Sequence, residues 1–310
     1  MAAVLLSLRI GAAPVELEAL RADARGILSS RTLRTLCAVA VGAALAVSGL
    51  LLQTLTRNPL ADPGITGINA GAALAAVSLA FFAPDATGAA ALAAAALGAG
   101  LAGGGLWLLA GGFSATDDTG IALRLPLAGL AIEALCLSLA SALILMDAEM
   151  QARYLRWISG AVPAVARGEG AALYAIALCL ATGGFLLPRL GLLALGAQTS
   201  HSLGRNPAWT AALVLLHVTV LSGASVAIAG PFAFVGLLVP FVARALAQGD
   251  LCRAYVLAVP LGAAGLLFAD VAGRVIARPG EVDAGILVSL IGGPSLIIVL
   301  RHVLLRGAQA

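Results

Sequence analysis

The chain has 310 residues, 61% of them hydrophobic and only 11% charged, with a formal net charge of +3. An ordinary soluble domain carries about a quarter charged residues, so no water-soluble fold of this size hides so much apolar surface, and the chain is expected to sit in a membrane. All 18 basic residues are Arg; without Lys there is neither a P-loop lysine for nucleotide phosphates nor a Schiff-base lysine, so any ATP that drives this protein is bound by another chain.

Reading from the amino end, Met1 to Ala13 would rise only about 20 Å as a helix, too short to cross a hydrocarbon core of about 30 Å untilted. The first helix is expected either to be partial or to begin upstream of Met1. Ala2 to Leu8 has no basic leader before it and no processing site after it, so no cleavable signal is expected. Apolar stretches of spanning length then recur at 34 to 56, 65 to 83, 88 to 110, 121 to 145, 169 to 187, 207 to 229, 232 to 247, 254 to 273 and 285 to 304. They leave no room for a soluble domain, and residues 1–310 are expected to form one membrane domain. The 37 glycines and 5% aromatics predict a closely packed helical bundle, because in lipid the approach of backbones at small residues replaces the hydrophobic drive.

Breakers separate the spans: Asn58-Pro59, Asp62-Pro63-Gly64, Gly230-Pro231 and Pro279-Gly280. Irregular backbone at membrane depth survives only where it is buried in protein or faces a watery cavity, so the breaks near Pro59 and Pro231 predict a pathway. Their recurrence in both halves raises an internal repeat, although no periodicity supports one. Cys37, Cys136, Cys179 and Cys252 form no CxxC pair and are read as small packing residues. His201, His217 and His302 lack metal-ligand spacing, so no protein-bound metal is expected. Arginines divide evenly between the two sets of loops, so the positive-inside rule does not orient the chain. Those assigned to the outside, among them Arg31, Arg34 and Arg274, need another reason to be there.

Several stretches carry a resemblance. Val41 to Gln53 leads into Thr56 to Gly64, with Asn58, Pro59, Asp62, Pro63 and Gly64, and then Gly67 to Ala72. Leu192 to Gly196 with Ser202 to Gly204 follows, then Ala229 to Pro240 with Gly230, Pro231 and Gly236, then Ala269-Asp270 with Arg274, and Pro279 to Gly285 leading to Leu290 to Pro294. In these motifs, from about residue 31 to the carboxyl end, the chain resembles the FecCD family of ABC importer permeases. It departs where Arg31-Thr-Leu-Arg34 lacks the family's proline and where Phe241 stands in place of a common His.

The resemblance implies an all-α transmembrane bundle of about ten helices of the type II ABC importer kind, in the bacterial cytoplasmic (inner) membrane, with both termini cytoplasmic. It implies a second permease subunit, identical or related, enclosing one path with this one. Two ATPase subunits would hold ATP and Mg below, and an extracytoplasmic substrate-binding protein would deliver cargo from above. The cargo would be a ferric siderophore, with haem or cobalamin as alternatives. Arg31, Arg34 and Arg274 would meet acids on the binding protein; otherwise they are interfacial anchors. Leu192, Leu193, Ala194, Leu195, Gly196, Ser202, Leu203 and Gly204 would form the coupling segment seated on the ATPase, in place of an ordinary loop. Ser159, Gly160 and Val165 would belong to an outer gate helix, against a plain reading of Tyr154 and Trp157 as interface markers.

Two acids fall inside spans. Asp270, four residues before Arg274, is read as an intrahelical ion-pair partner. Glu133 either faces the path, pairs with a neighbour such as His217, or is a hydrogen-bonded packing residue. An ion-coupled secondary transporter would need more intramembrane carboxylates than these, and a channel would show a filter or charged ring. Neither pattern is present in the sequence.

Overall fold

The computed structural model describes residues 2–9, 24–112, 118–163, 168–278 and 280–307. In chain order the helices are α1 (Ala2–Arg9), α2 (Ala24–Thr56), α3 (Ile68–Phe82), α4 (Gly88–Leu109), α5 (Asp118–Ile144), α6 (Ala148–Ile158), α7 (Gly170–Gly183), α8 (Leu187–Ala194), α9 (Ala197–Ser202), α10 (Pro207–Ala229), α11 (Val235–Leu246), α12 (Leu251–Ile276) and α13 (Ala284–Gly307). Two 3₁₀ turns, Pro63–Thr66 and Gly184–Leu186, complete the described elements. Among the described residues six segments are long and apolar enough to cross a membrane, the pair α7 and α8 counting as one, and α3, α11 and Ala284–Ile297 of α13 are shorter apolar helices. Each span expected from the sequence falls on one of these nine.

Helix α2 is the axis of the bundle. Its 33 residues rise about 50 Å, and 83% of its most apolar window is buried, against 28% for α5 and 22% for α7 and α8. The difference places α2 at the centre, and leaves the outer helices with apolar faces for lipid or another chain. Glycines allow the central crossings. A Cβ on Gly42 would come within 2.3 Å of the Gly262 carbonyl of α12, and one on Gly49 within 1.8 Å of the Gly236 carbonyl of α11. Backbone meets backbone at both points, as the small-residue composition predicts.

Helices α3 and α11 are the exceptions to full spanning length. With 15 and 12 residues they rise only about 22 and 18 Å, because the chain before each stays irregular. Those irregular stretches, 57–67 and 230–234, are the two proline breaks singled out in the sequence.

The described part of α1 is too short to span. Its 8 residues pack on α2 and α12, with Ser7 Oγ 2.8 Å from Thr35 Oγ1. Guanidinium groups hold its carbonyls: Arg31 Nη1 donates to the Leu8 carbonyl at 3.1 Å and Arg274 Nη1 to the Ser7 carbonyl at 3.0 Å.

Candidate functional site

The two broken segments meet. The side chain of Asp62 accepts the Gly64 N–H at 2.6 Å, which caps the turn Pro63–Thr66, and it also accepts the Phe234 N–H. One carboxylate thus ties the break after α2 to the break before α11. Phe234 sits in the left-handed region at φ 67°, a conformation costing a non-glycine residue roughly 1–2 kcal/mol. Its N–H bond to Asp62 holds it there, and Gly292 of α13 makes the room, since a Cβ on Gly292 would lie 2.5 Å from the Phe234 side chain. The Gly292-Gly293-Pro294 motif therefore has a packing reason in the break before α11.

Pro240 lies inside α11 and has no N–H to give the Gly236 carbonyl four residues back. Gln53 of α2 substitutes for it, donating from Nε2 to the Gly236 and Leu237 carbonyls at 3.3 Å each. Gly236 itself approaches Pro63 and the Leu45 carbonyl. Gln53, Asp62, Pro63, Gly236 and Pro240 form one interlocked unit, whereas Asn58 and Pro59 are exposed beside it and only the Asn58 side chain turns back, to the Leu60 N–H at 2.9 Å. The sequence signal for Gln53 was an amide in an otherwise apolar span, followed far downstream by a helix-interior proline.

Around this unit lies a cavity of about 800 Å³, lined by both breaks and by α3, α5, α6 and α13. Asp62, Asn69, Glu133, Tyr154, Trp157 and Phe234 carry its polar and aromatic groups. Glu133 is partly buried and faces this cavity. It does not pair with His217, whose ring nitrogens contact Thr182 Oγ1 at 3.1 Å and the Leu213 carbonyl at 2.9 Å. At the cavity's rim Ser159 Oγ donates to Asp283, and the Gly160 carbonyl accepts the Gly285 N–H at 2.9 Å. Gly160 also packs against the Pro231 carbonyl, so the end of α6, the start of α13 and the Gly230-Pro231 break interlock. Val165 lies outside the described residues.

A charged cluster occupies the far end of α2. Arg34 donates to Asp270 at 2.8 Å and to Glu281 at 2.8 Å, and Arg274 pairs with the other oxygen of Asp270. The intrahelical pair expected for Asp270 and Arg274 is present, but Arg274 is only 2% exposed. This corrects its expected position as a docking arginine: its guanidinium is spent on Asp270 and on the end of α1. Arg34 retains 14% exposure and Arg31 is partly buried.

At the opposite end of α2, the expected coupling stretch is a helix–break–helix unit. Leu192 and Ala194 are partly buried in α8, while Leu193 and Gly196 turn inward. Leu195, Ser202, Leu203 and Gly204 are exposed around the short helix α9. Arg57 Nη2 donates to the Leu193 carbonyl at 2.7 Å and fixes the unit to α2. Asn206 caps α10 immediately afterwards, accepting the Ala208 N–H at 3.0 Å, so the unit continues directly into a helix whose other end is the Gly230-Pro231 break.

The comparisons with known proteins agree with this architecture. The model of the FecCD transport family matches residues 1–302. The chain is 37% identical over 274 residues to the Fe(3+) dicitrate transport system permease protein FecC of Escherichia coli strain K12, covering 87% of this chain and 81% of that protein. It is 38% identical over 320 residues to the ferric enterobactin transport system permease protein FepD of the same strain, covering 99% and 93%. Among solved structures, an inward-facing conformation of a metal-chelate type ABC transporter superposes with a TM-score of 0.85 at 26% identity, covering 97% of this chain and 95% of that one.

Proposed function

Because this chain belongs to the FecCD transport family, we propose that it imports a ferric siderophore across the bacterial cytoplasmic membrane, with haem or cobalamin as the alternative cargo. It is a multi-pass transport permease subunit of an ABC transporter rather than an enzyme, and ATP is bound by a partner ATPase. The observation that carries the import reading is the cavity of about 800 Å³ at the meeting point of the two broken segments, where irregular backbone lines a space instead of meeting lipid.

Residues 1–310 act as one membrane domain. Two permease chains, identical or related, enclose the path, two ATPase subunits sit below, and a substrate-binding protein docks above. The exposed residues Leu195, Ser202, Leu203 and Gly204 seat on the ATPase. Closure of the ATPase pair displaces α9, and α10 carries that displacement as a rigid body to Gly230-Pro231 at the cavity. Arg31 and the exposed edge of Arg34 contribute to docking the binding protein, and Ser159 and Gly160 to the outer gate.

The test is uptake by the complete transporter reconstituted in proteoliposomes with its ATPase and binding protein. ATP-dependent accumulation of a ferric siderophore is the expected result. Accumulation of haem or cobalamin with no ferric siderophore uptake would select the alternative.

A further inference from the structure

Two acids line the cavity, and their situations differ. Asp62 is occupied by the Gly64 and Phe234 N–H groups. Glu133 has neither a hydrogen bond nor an ion pair with any other described residue. Its position is nevertheless fixed: on α5, Gly129 lies against Ile65 and Thr66, and Ile132 packs on Gly67, which registers α5 against the 3₁₀ turn and sets Glu133 beside it. Among the described residues no Arg or His lines the cavity. The remaining polar surface comes from uncharged groups such as Asn69 and Ser289, and Tyr154 and Trp157 present rings 6.3 Å apart on the same wall.

A wall of this kind has a sign. Apolar, low-dielectric surroundings focus the field of a carboxylate into the space it faces, and aromatic faces add attraction for cations. We infer that Glu133 selects cargo by charge, favouring ferric chelates of net positive or zero charge over polyanionic ones. This rests on the cavity being the importer's path. Glu133 acts as a specificity residue touching the cargo: its carboxylate attracts a cationic chelate or accepts hydrogen bonds from a neutral one. Against an anionic chelate it sets like charges in a space where no described Arg or His compensates.

The experiment uses cells lacking other siderophore permeases and expressing the whole importer: this chain, its partner permease, its ATPase and its binding protein. Iron uptake is measured from cationic ferrioxamine B, neutral ferrichrome and anionic ferric enterobactin, with membrane levels of each variant determined in parallel. The wild type is expected to prefer ferrioxamine B or ferrichrome to ferric enterobactin. Because the binding protein is common to all variants, its own preference cancels in the ratio of variant to wild type. Glu133→Gln should lower that preference severalfold and Glu133→Arg by roughly tenfold or more, since charge reversal replaces attraction by repulsion. Should Glu133→Arg fail to reach the membrane, Glu133→Gln decides. An unchanged ratio in a variant present at wild-type level overturns the inference and leaves the importer reading intact. Uptake from none of the three chelates overturns the cargo reading, and this inference with it.

Discussion

Charge at the far end of α2 and charge at the cavity follow opposite rules. Arg34, Asp270, Arg274 and Glu281 alternate in sign, and every one of them touches an opposite charge. At the cavity, Asp62 is held by backbone N–H groups and Glu133 faces the space. The family resemblance turned Arg31, Arg34 and Arg274 outward to a partner, and the sequence left Glu133 open between facing the path, pairing and packing. What decides each role is whether a counter-charge lies within reach once the helices are assembled.

The largest effect that sharpens this contrast is expected at Asp270. Asp270→Ala strips the counter-ion from Arg274, which is 2% exposed, and leaves Arg34 with Glu281 alone; breaking a buried pair from one side costs about 3–5 kcal/mol. The expected outcome is loss of most folded protein, read as membrane level and as the thermal unfolding midpoint in detergent. A variant as stable as wild type would show that these guanidinium groups find water and that the network is not structural.

Next in size is Gln53→Leu, which leaves the Gly236 carbonyl, facing the N–H-less Pro240, without its donor. A buried unsatisfied acceptor costs about 1–3 kcal/mol. Adding Pro240→Ala restores an N–H within α11 and should recover part of the loss, giving a coupling energy of at least about 0.5 kcal/mol in the double-mutant cycle. Strict additivity would mean that the proline and the amide are not linked.

Smaller again in stability, though not in function, is the coupling unit. Leu195→Asp with Leu203→Asp changes two exposed side chains, and exposed substitutions usually shift stability by less than about 0.5 kcal/mol each. ATP hydrolysis in the reconstituted complex should persist while uptake falls. Normal uptake would remove α9 from the coupling role. The smallest stability effect is expected at Glu133→Gln, which breaks no ion pair. Its unfolding midpoint should match wild type, whereas a marked drop would reveal a partner for Glu133 and erase the contrast with Asp270.

The same contrast changes how docking must be tested. Reversing Arg31, Arg34 and Arg274 together would first place like charges around Asp270 and detach the end of α1, so reduced binding-protein affinity would report folding as readily as docking. Arg31→Glu alone leaves the Asp270 pairs in place and gives up the bond to the Leu8 carbonyl of α1, so its unfolding midpoint is read beside its affinity. Exposed pairs are worth about 0–1 kcal/mol, so a modest loss of binding-protein affinity, largest at low salt, is the expected reading.

The nine apolar helices, the small-residue packing and the two proline breaks were legible in the sequence because each is a local property: run length, composition, a missing N–H. The family was legible too, since its motifs are contiguous. The Asp270–Arg274 pair could be anticipated because four residues on a helix bring two side chains together without any tertiary information. Tertiary structure decided everything that joined distant segments. Gln53 answers Pro240 across 187 positions of chain, Gly292 makes room for Phe234, and Asp62 binds the two breaks into one wall. Arg34 reaches Asp270 because α2 and α12 cross at Gly42 and Gly262, and that crossing turned an expected docking arginine, Arg274, into a buried one. Spacing along a chain fixes neighbours within one helix, whereas burial and pairing depend on which helix lies alongside, and in this protein close contact between glycines determines that.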